Sequence, residues 1–359
     1  MLDKQGKKLR VSDIAELAGV SPTAVSRYLN SSGYLSPEKG EAIRRALEAM
    51  GAQTDESAPE NRGRSRKLFA FLAPPHSLSG SMQFAAMGSV FSEEARSKGY
   101  ATKVYSMDLS GMTLSEALRQ VLAGHPNGIM IPVVPMMTLD IPTQRFIQEC
   151  EVPIVMCSEF PTPYPTIHSI IYSFGTGLDL SVTHLIEMGC RRLALLTPPN
   201  SQSKSAGLQQ TAFFGCTGEK KELENAQCFT YPWVDGKFAQ AGYACAKEAF
   251  SQNPDLDGII SWTDSYAAGI LWYLYEVGKQ VPRDVKLVAL HEDYAPYLCP
   301  PLTTYTFSNR EVCVEAVEML VTLQSPRQRQ NIRHLYINPI FTVRGSTDPE
   351  KLPARQASE

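Results

Sequence analysis

Apolar residues recur at helical spacing near the start of the chain and predict two short helices over residues 10–31. Ile14, Ala15 and Leu17 share this spacing in the first helix. Gly19 follows where that helix must end, and glycine tolerates the positive φ that such a turn requires. The pattern therefore predicts a helix, a tight turn and a second helix.

Capping residues support both helix starts. Ser12 is expected to cap the first helix, and Ser21 the second, where Pro22 follows at the first helical position. Val25 and Leu29 then form the buried stripe of the second helix. The remaining residues of that helix form its outer face: Ser21, Pro22, Thr23, Ser26, Arg27 and Asn30.

This arrangement is typical of a helix-turn-helix, whose second helix enters the DNA major groove. The two-helix pattern alone also fits any small helical hairpin with good caps. The run DIAELAGVSPTAVSRYLN is more specific, because it closely resembles the DNA-binding headpiece of the LacI/GalR family of bacterial repressors. That headpiece follows D-[VI]-A-x-x-A-G-V-S-x-x-T-V-S-R-x-L-N, and here Ala24 replaces the usual Thr.

The resemblance implies how the second helix meets DNA. Arg27 and Thr23 are expected to contact bases, while Pro22 offers only an apolar contact, for example to a thymine methyl. Further contacts, to phosphates or the groove floor, fall to four polar residues: Arg10, Ser21, Ser26 and Asn30. Tyr34 either lies against the DNA backbone, as its family equivalent does, or packs on the third helix.

A third helix begins near Ser36 and closes a three-helix headpiece over residues 1–50. Residues 51–67 are polar and charged, which predicts a linker or hinge. Related repressors carry a hinge helix there, with an Arg and a Leu that wedges into the minor groove. Pro59 and Asn61 occupy those two positions, so the minor-groove kink is not supported. The basic residues of the linker either contact phosphates or are solvated: Arg62, Arg64, Arg66 and Lys67.

From Leu68 onward, short apolar strands alternate with helical segments in two consecutive series of similar size. The first series opens with LFAFLA, and the second opens near HSIIYS at 168–173. Alternation of this kind predicts two Rossmann-like lobes, each with a parallel sheet covered by helices. Ligands of such sheets bind beyond the carboxyl ends of the strands, so a cleft between the lobes is the expected site.

This α/β region resembles the LacI/GalR effector domain, which is similar to periplasmic sugar-binding proteins. Matching pieces include HLIEMGCRRLALL, DGIISWTDSYAAGIL and VGKQVPRDVKLVAL. By this resemblance the effector domain spans 68–345 and a tail follows at 346–359. The expected lobe boundaries are, for the N-lobe, about 68–163 and 294–325 and, for the C-lobe, about 164–293 and 326–345.

The resemblance also assigns effector contacts residue by residue: Ser77, Phe84, Ser158, Lys204, Asp264 and His291. Lys204 stands at the family's sugar-binding Arg, and His291 at its sugar-binding Asp. Trp233 could supply an aromatic face for a sugar ring, although a Trp is more often part of a core. Lys204 could equally be an exposed surface residue, and His291 a structural residue at a lobe crossing.

Both exchanges favour positive or hydrogen-donating groups in the cleft. The expected effector is therefore a sugar, a sugar acid or a sugar phosphate. No cofactor or metal site is expected, because none of the eight cysteines forms a CxxC pair.

Charge is unevenly placed along the chain. Residues 1–67 carry a net charge of +3, although the whole chain carries −3. A basic headpiece on an acidic body fits local contact with phosphates. Neither a signal-peptide pattern nor a membrane-spanning stretch is found, so the expected location is the bacterial cytoplasm, on the nucleoid when DNA is bound, with no membrane partner.

These features predict a homodimeric repressor of a carbohydrate-utilisation operon that binds a near-palindromic DNA operator under the control of a small effector. The alternatives are a cytoplasmic small-molecule-binding protein without a DNA function and a regulator that responds to a non-sugar metabolite. A Rossmann-like enzyme is not favoured, since the chain contains no G-x-G-x-x-G, P-loop or G-x-S-x-G motif.

Overall fold

The structure is a computed structural model. It describes residues 10–30, 36–50, 67–73, 81–106, 113–132, 139–158, 165–234 and 236–351. The chain forms two compact units, Met1–Lys67 and Leu68–Glu359, which we call the N-terminal unit and the α/β unit. Each unit is described separately below. The linker residues Pro59 and Asn61, and the basic residues Arg62, Arg64 and Arg66, lie outside the described residues.

The N-terminal unit contains three helices: α1 (Val11–Ala18), α2 (Pro22–Asn30) and α3 (Pro37–Ala49). Their apolar stripes meet in a small core, whose buried members are Ile14, Ala15, Val25, Ile43, Ala46 and Leu47. Val20, in the turn between α1 and α2, packs against this core as the expected apolar peg. Leu17 is 57% exposed, so helical spacing alone did not place it in the core.

The turn between α1 and α2 follows the predicted chemistry. Gly19 adopts a left-handed conformation with φ +63°, and its N–H bonds back to the last turn of α1. The Ser21 hydroxyl accepts a hydrogen bond from the Ala24 N–H at 3.2 Å and so caps α2. The predicted Ser12 cap is wrong. Helix α1 begins one residue earlier, at Val11, and the Ser12 hydroxyl donates to the Asp13 carboxylate instead.

The α/β unit alternates strands and helices as predicted. Its strands are β1 (Leu68–Ala73), β2 (Ala101–Ser106), β3 (Gly128–Ile131), β4 (Ile154–Ser158), β5 (Ser169–Tyr172), β6 (Arg192–Thr197), β7 (Asn225–Thr230), β8 (Gly258–Ser261), β9 (Lys286–Leu290), β10 (Thr303–Thr306), β11 (His334–Ile337) and β12 (Ile340–Thr342). Its helices are α4 (Ser81–Ser97), α5 (Leu114–Leu122), α6 (Ile141–Glu149), α7 (Phe174–Glu187), α8 (Lys204–Thr217), α9 (Phe238–Gln252), α10 (Asp264–Glu276), α11 (Asn309–Thr322) and α12 (Pro326–Arg329).

The strands form two six-stranded sheets, with the orders β11-β5-β4-β3-β1-β2 and β12-β10-β9-β8-β6-β7. The pairs of the first sheet are parallel, and in the second sheet only the edge strand β12 runs antiparallel, beside β10. Central strands are buried on both faces, which explains why they are almost continuously apolar.

Alternate residues of each strand enter different cores. In β1, Phe69 and Phe71 face the core formed with α4 and α11, whereas Ala70 and Leu72 face the core formed with α5 and α6. The second sheet repeats this arrangement with α7 and α8 on one side and α9 and α10 on the other. Each lobe is therefore a three-layer structure around a parallel sheet.

The expected lobe boundaries differ from the observed strand pairing. Strand β5 pairs with β4 in the first sheet, so the first crossing between the lobes follows residue 172 rather than 163. Strand β10 belongs to the second sheet, and the second crossing follows it rather than lying near 293. The third crossing lies between β11 and β12 rather than near 326. All three boundaries shift toward the C-terminus, because pairing between distant segments decides which sheet a strand joins.

No helix among the described residues is both long and apolar enough to span a membrane. The same residues contain no cluster of three or more His, Cys, Asp or Glu side chains that could hold a metal ion.

Helices α9 and α10 approach each other unusually closely through glycine. A Cβ atom added at Gly269 of α10 would lie 1.7 Å from the carbonyl oxygen of Ala239 in α9. A Cβ atom added at Gly242 of α9 would lie 1.9 Å from the carbonyl oxygen of Tyr266 in α10. The neighbouring atoms are backbone, so they cannot move aside as a flexible side chain would.

We predict that Gly269→Ala destabilises the α/β unit by about 1–3 kcal/mol, because the added methyl overpacks the α9–α10 contact. The matched control is Gly215→Ala in α8, where a Cβ would meet nothing within 4 Å. Thermal unfolding should show a Tm several degrees lower for Gly269→Ala, and an unchanged or slightly raised Tm for Gly215→Ala. Equal melting temperatures for Gly269→Ala and the wild type would contradict the close packing described here.

Candidate functional site

The first candidate surface is the outer face of α2. Thr23 and Arg27 lie one helical turn apart on this face, and both are exposed, as is Pro22 at the start of the helix. Ala24 and Val25 point the other way and are buried, which fixes the rotation of the helix about its axis. The exposed face therefore presents one guanidinium and one hydroxyl, the groups that read base edges in a major groove.

The other predicted DNA contacts lie around this face. Arg10 is exposed and precedes α1, and Ser21 is exposed at the cap of α2. Ser26 is half-buried within α2. Asn30 is the last residue of α2, but its side chain lies outside the described residues, as does the whole of Tyr34.

The second candidate surface is the carboxyl edge of the second sheet. Strands β6, β7, β8 and β9 are parallel, so the segments that leave them emerge at one edge. Ser261 pairs with Ala289, and the chain therefore leaves β8 at Trp262 beside the point where it leaves β9 at His291. We call the residues that follow these four strands the effector edge: 198–203, 231–237, 262–264 and 291–294.

Three aromatic side chains cluster at the effector edge. The rings of Trp233 and Trp262 stack with centroids 5.2 Å apart and an interplanar angle of 11°. Phe238, at the start of α9, lies 5.4 Å from Trp233 and 6.0 Å from Trp262. Trp262 is almost fully buried, whereas Trp233 remains partly exposed. Trp233 thus combines the two predicted roles, since it packs on the core and still reaches the surface.

Gln202 fixes the backbone that carries Trp233. Its side-chain oxygen accepts from the Trp233 N–H at 3.1 Å, and its side-chain nitrogen donates to the Trp233 carbonyl at 3.0 Å. This amide pair joins the segment after β7 to the segment before α8, where Ser203 caps the helix and Lys204 begins it. The side chain of Lys204 lies outside the described residues.

Asp264 is the first residue of α10 and is 1% exposed. Its Oδ2 atom accepts from the backbone N–H of Tyr294 at 2.6 Å and of Ala295 at 3.1 Å. Its Oδ1 atom accepts a longer bond from the Ser265 hydroxyl. The carboxylate thereby fastens the loop after β9 to the start of α10. This bracket gives Asp264 a positioning role, and its predicted contact with an effector stays a prediction.

His291 directly follows β9 and adopts φ +71°, a conformation that residues with a side chain rarely take. Its N–H donates to the Tyr305 carbonyl at 3.2 Å, so the ladder between β9 and β10 holds this conformation. Burial lowers the pKa of His291, although the carboxylates of Asp264 and Asp293 act in the opposite direction. The ring is therefore uncharged at neutral pH. Strained backbone of this kind often accompanies a functional side chain.

Two further acids flank His291. Glu292 forms an ion pair with Arg344, whose guanidinium also donates to the Leu302 carbonyl and the Thr304 hydroxyl, each at 2.9 Å. Asp293 is half-buried, and burial raises the pKa of its carboxyl while the neighbouring His291 lowers it. This segment thus places an imidazole and a carboxyl group side by side at the effector edge.

The remaining predicted effector residues belong to the first sheet and its helices. Phe84 lies in α4 and is half-buried against the core of that lobe. Ser158 ends β4, but its side chain lies outside the described residues, and so does the whole of Ser77. The structure therefore brings together Trp233, Asp264 and His291, all on the second lobe.

Sequence reasoning did not single out Trp262, Gln202 or Asp293. The signal for Trp262 was available, because it directly precedes Thr263 and Asp264 at the end of an apolar strand. Asp293 was obscured by the exchange of the family's Asp for His at position 291. The position of Gln202 depends on the fold of two loops that are distant in sequence, so no local pattern marks it.

Comparison with known proteins yields matches in both units. The sequence profile described as "Bacterial regulatory proteins, lacI family" matches residues 10–54. The profile described as "Periplasmic binding protein-like domain" matches residues 182–347. The two matches cover the helical N-terminal unit and the lobe that carries the effector edge.

Several regulators align along nearly the whole chain. The lactose operon repressor of Escherichia coli (strain K12) is 25% identical over 351 residues, covering 95% of this chain and 91% of that protein. The ribose operon repressor of Bacillus subtilis (strain 168) is 25% identical and covers 87% of this chain and 90% of its own length. A crystal structure of the lac repressor dimer bound to operator and an anti-inducer superposes with a TM-score of 0.71 at 22% identity, covering 95% of this chain and 99% of that chain.

We predict that Asp264→Ala destabilises the α/β unit by about 2–4 kcal/mol, since the N–H groups of Tyr294 and Ala295 lose their acceptor. Urea unfolding followed by tryptophan fluorescence measures the change. Glu222→Ala is the matched control, because this exposed carboxylate makes no hydrogen bond among the described residues. An Asp264→Ala protein as stable as the control would show that the bracket does not hold the loop.

Proposed function

The chain belongs to the LacI/GalR family of transcriptional regulators, and from that membership we propose that it is a homodimeric repressor of a carbohydrate-utilisation operon, controlled by a small sugar-like effector. The observation that carries the proposal is the exposed face of α2, where Thr23 and Arg27 stand on a helix fixed by its buried side. Such a face is suited to a DNA major groove.

In this proposal each N-terminal unit reads one half of a near-palindromic operator. Arg27 and Thr23 contact base edges, and the cap of α2 and Arg10 approach the phosphates. The net charge of +3 on residues 1–67 supports attraction to DNA, although the whole chain is acidic. The effector acts by binding one arrangement of the two lobes more tightly than the other, which changes operator affinity through linkage.

A sugar-like effector is supported by the effector edge and by the relatives. The relatives with full-length alignments include repressors of a ribose operon and of a lactose operon. An aromatic cluster beside polar groups is the usual way to hold a ring that has one apolar face and several hydroxyls. Sugars, sugar acids and sugar phosphates share this ring, and they differ in charge.

A dimer is supported by an exposed aromatic face on α9 and α10. Trp272 is 54% exposed and Tyr275 is 86% exposed, and the ring of Tyr243 lies 4.9 Å from that of Trp272. A soluble monomer rarely leaves a group of large aromatic side chains in water. We assign a second copy of this chain as the occupant, because the superposable lac repressor is a dimer and a two-fold axis matches a two-fold operator.

We predict that Arg27→Ala weakens binding to the operator by about five- to a hundredfold, which corresponds to the loss of one base-specific contact. Fluorescence anisotropy measures the affinity for DNA that the wild-type protein selects. The control is Arg145→Ala, which removes one exposed positive charge from α6 in the other unit. Operator affinity that changes equally in both variants would mean that Arg27 contributes only nonspecific charge.

We also predict that Trp272→Glu combined with Tyr275→Glu converts the dimer into a monomer, since two charges would have to be buried in the interface. Sedimentation equilibrium gives the mass directly. The control variant Ile141→Glu places a charge at another apolar position, which is 72% exposed on α6. A double variant that remains dimeric would move the interface to a different face.

A further inference from the structure

Three carboxylates lie where the chain leaves β8 and β9, and two of them are already engaged by the protein. Asp264 accepts the backbone N–H groups of Tyr294 and Ala295 through one oxygen. Glu292 is paired with the guanidinium of Arg344. Their hydrogen-bonding capacity therefore serves mainly to hold the loop after β9 in place.

Asp293 differs from both neighbours. It is half-buried, yet its carboxylate makes no hydrogen bond or ion pair with any residue that the structure describes. The charged groups that act on it are the ring of His291 and the carboxylate of Asp264. A largely buried carboxylate without a donor is unfavourable, so donors from outside the protein would stabilise it.

We infer that Asp293 determines which effectors this regulator accepts: its carboxylate receives hydrogen bonds from hydroxyl or ammonium groups of the effector and repels anionic ones. The inference rests on the proposed function and specifies the ligand of the same site. The carboxylate that the family motif carries at position 291 is thereby supplied two residues later.

His291 supports this assignment. Its ring is uncharged at neutral pH, because burial lowers its pKa. It can therefore give or accept a hydrogen bond, but it does not provide the positive charge that an anionic sugar would need. This differs from the expectation drawn from the sequence, in which the exchange of Asp for His favoured an acidic or phosphorylated ligand.

The aromatic cluster sets the shape of the same ligand. Trp262 directly precedes the segment of Asp264, and it carries Trp233 and Phe238 on its neighbouring faces. Asp293 and the cluster thus belong to adjacent segments of the effector edge, joined through the bracket of Asp264. The expected ligand is a ring with one apolar face, with hydroxyl or ammonium donors, and without an anionic group.

The first test uses the full-length protein without effector. Asp293→Asn removes a charge that no donor compensates, so its Tm should equal or exceed that of the wild type. Asp264→Ala, which frees two backbone N–H groups, should melt several degrees lower. A drop in Tm for Asp293→Asn as large as that of Asp264→Ala would overturn the inference, because it would show that the protein itself engages Asp293.

The second test is calorimetric titration of the same protein with ribose, lactose, cellobiose, glucosamine, gluconate and glucose 6-phosphate. The wild type should bind a neutral or amino sugar more tightly than either anion. Asp293→Asn should weaken that binding by about ten- to a hundredfold, the usual effect of losing a hydrogen bond to a charged group. The matched control Asp255→Asn, at an exposed turn, should bind as the wild type does.

The outcomes separate this inference from the proposed function. Tighter binding of gluconate or glucose 6-phosphate, or binding that Asp293→Asn leaves unchanged, would overturn the role of Asp293 while a sugar-controlled regulator still stands. No binding by any of the six compounds would contradict the proposed effector class itself. Glucosamine binding in preference to neutral sugars would identify the donor as ammonium, and the reverse order as hydroxyl.

Discussion

A buried polar network around residues 344–347 holds the last crossing of the chain between the lobes, and the effector edge depends on it. Ser346 exchanges hydrogen bonds with Leu287 of β9 and accepts from the N–H of Thr303 at 2.8 Å. Thr347 joins the Thr303 hydroxyl at 2.7 Å to the ring of His184 at 2.8 Å. The network thus ties α7, β9 and β10 to the segment that arrives from the first sheet.

Arg344 extends this network to the effector edge. Its ion pair with Glu292 holds the residue between His291 and Asp293, while its other bonds reach the start of β10. The loop that carries the proposed specificity residue is therefore fixed at two points, by Arg344 and by Asp264. A site built on such fixed supports is preorganised, so less of the binding energy is spent on ordering the protein.

Local chemistry explains how much of this architecture the sequence could predict. The turn at Gly19, the cap at Ser21 and the alternation of strands and helices depend on neighbouring residues, and the structure agrees with them. The lobe boundaries depend on pairing between distant strands, and β5 illustrates this, since it looks like the start of the second series but extends the first sheet. The role of Asp264 could not be predicted either, because its partners, the N–H groups of Tyr294 and Ala295, lie thirty residues away.

The central claim is that this chain reads a two-fold DNA sequence and releases or retains it according to a small ligand. The most direct measurement is sequencing of the DNA that the full-length protein recovers from a random library, with and without the best-binding sugar of the panel. The account predicts enrichment of two inverted half-sites, with a recovery that changes when the sugar is present. Recovered fragments that share no inverted motif would contradict the account.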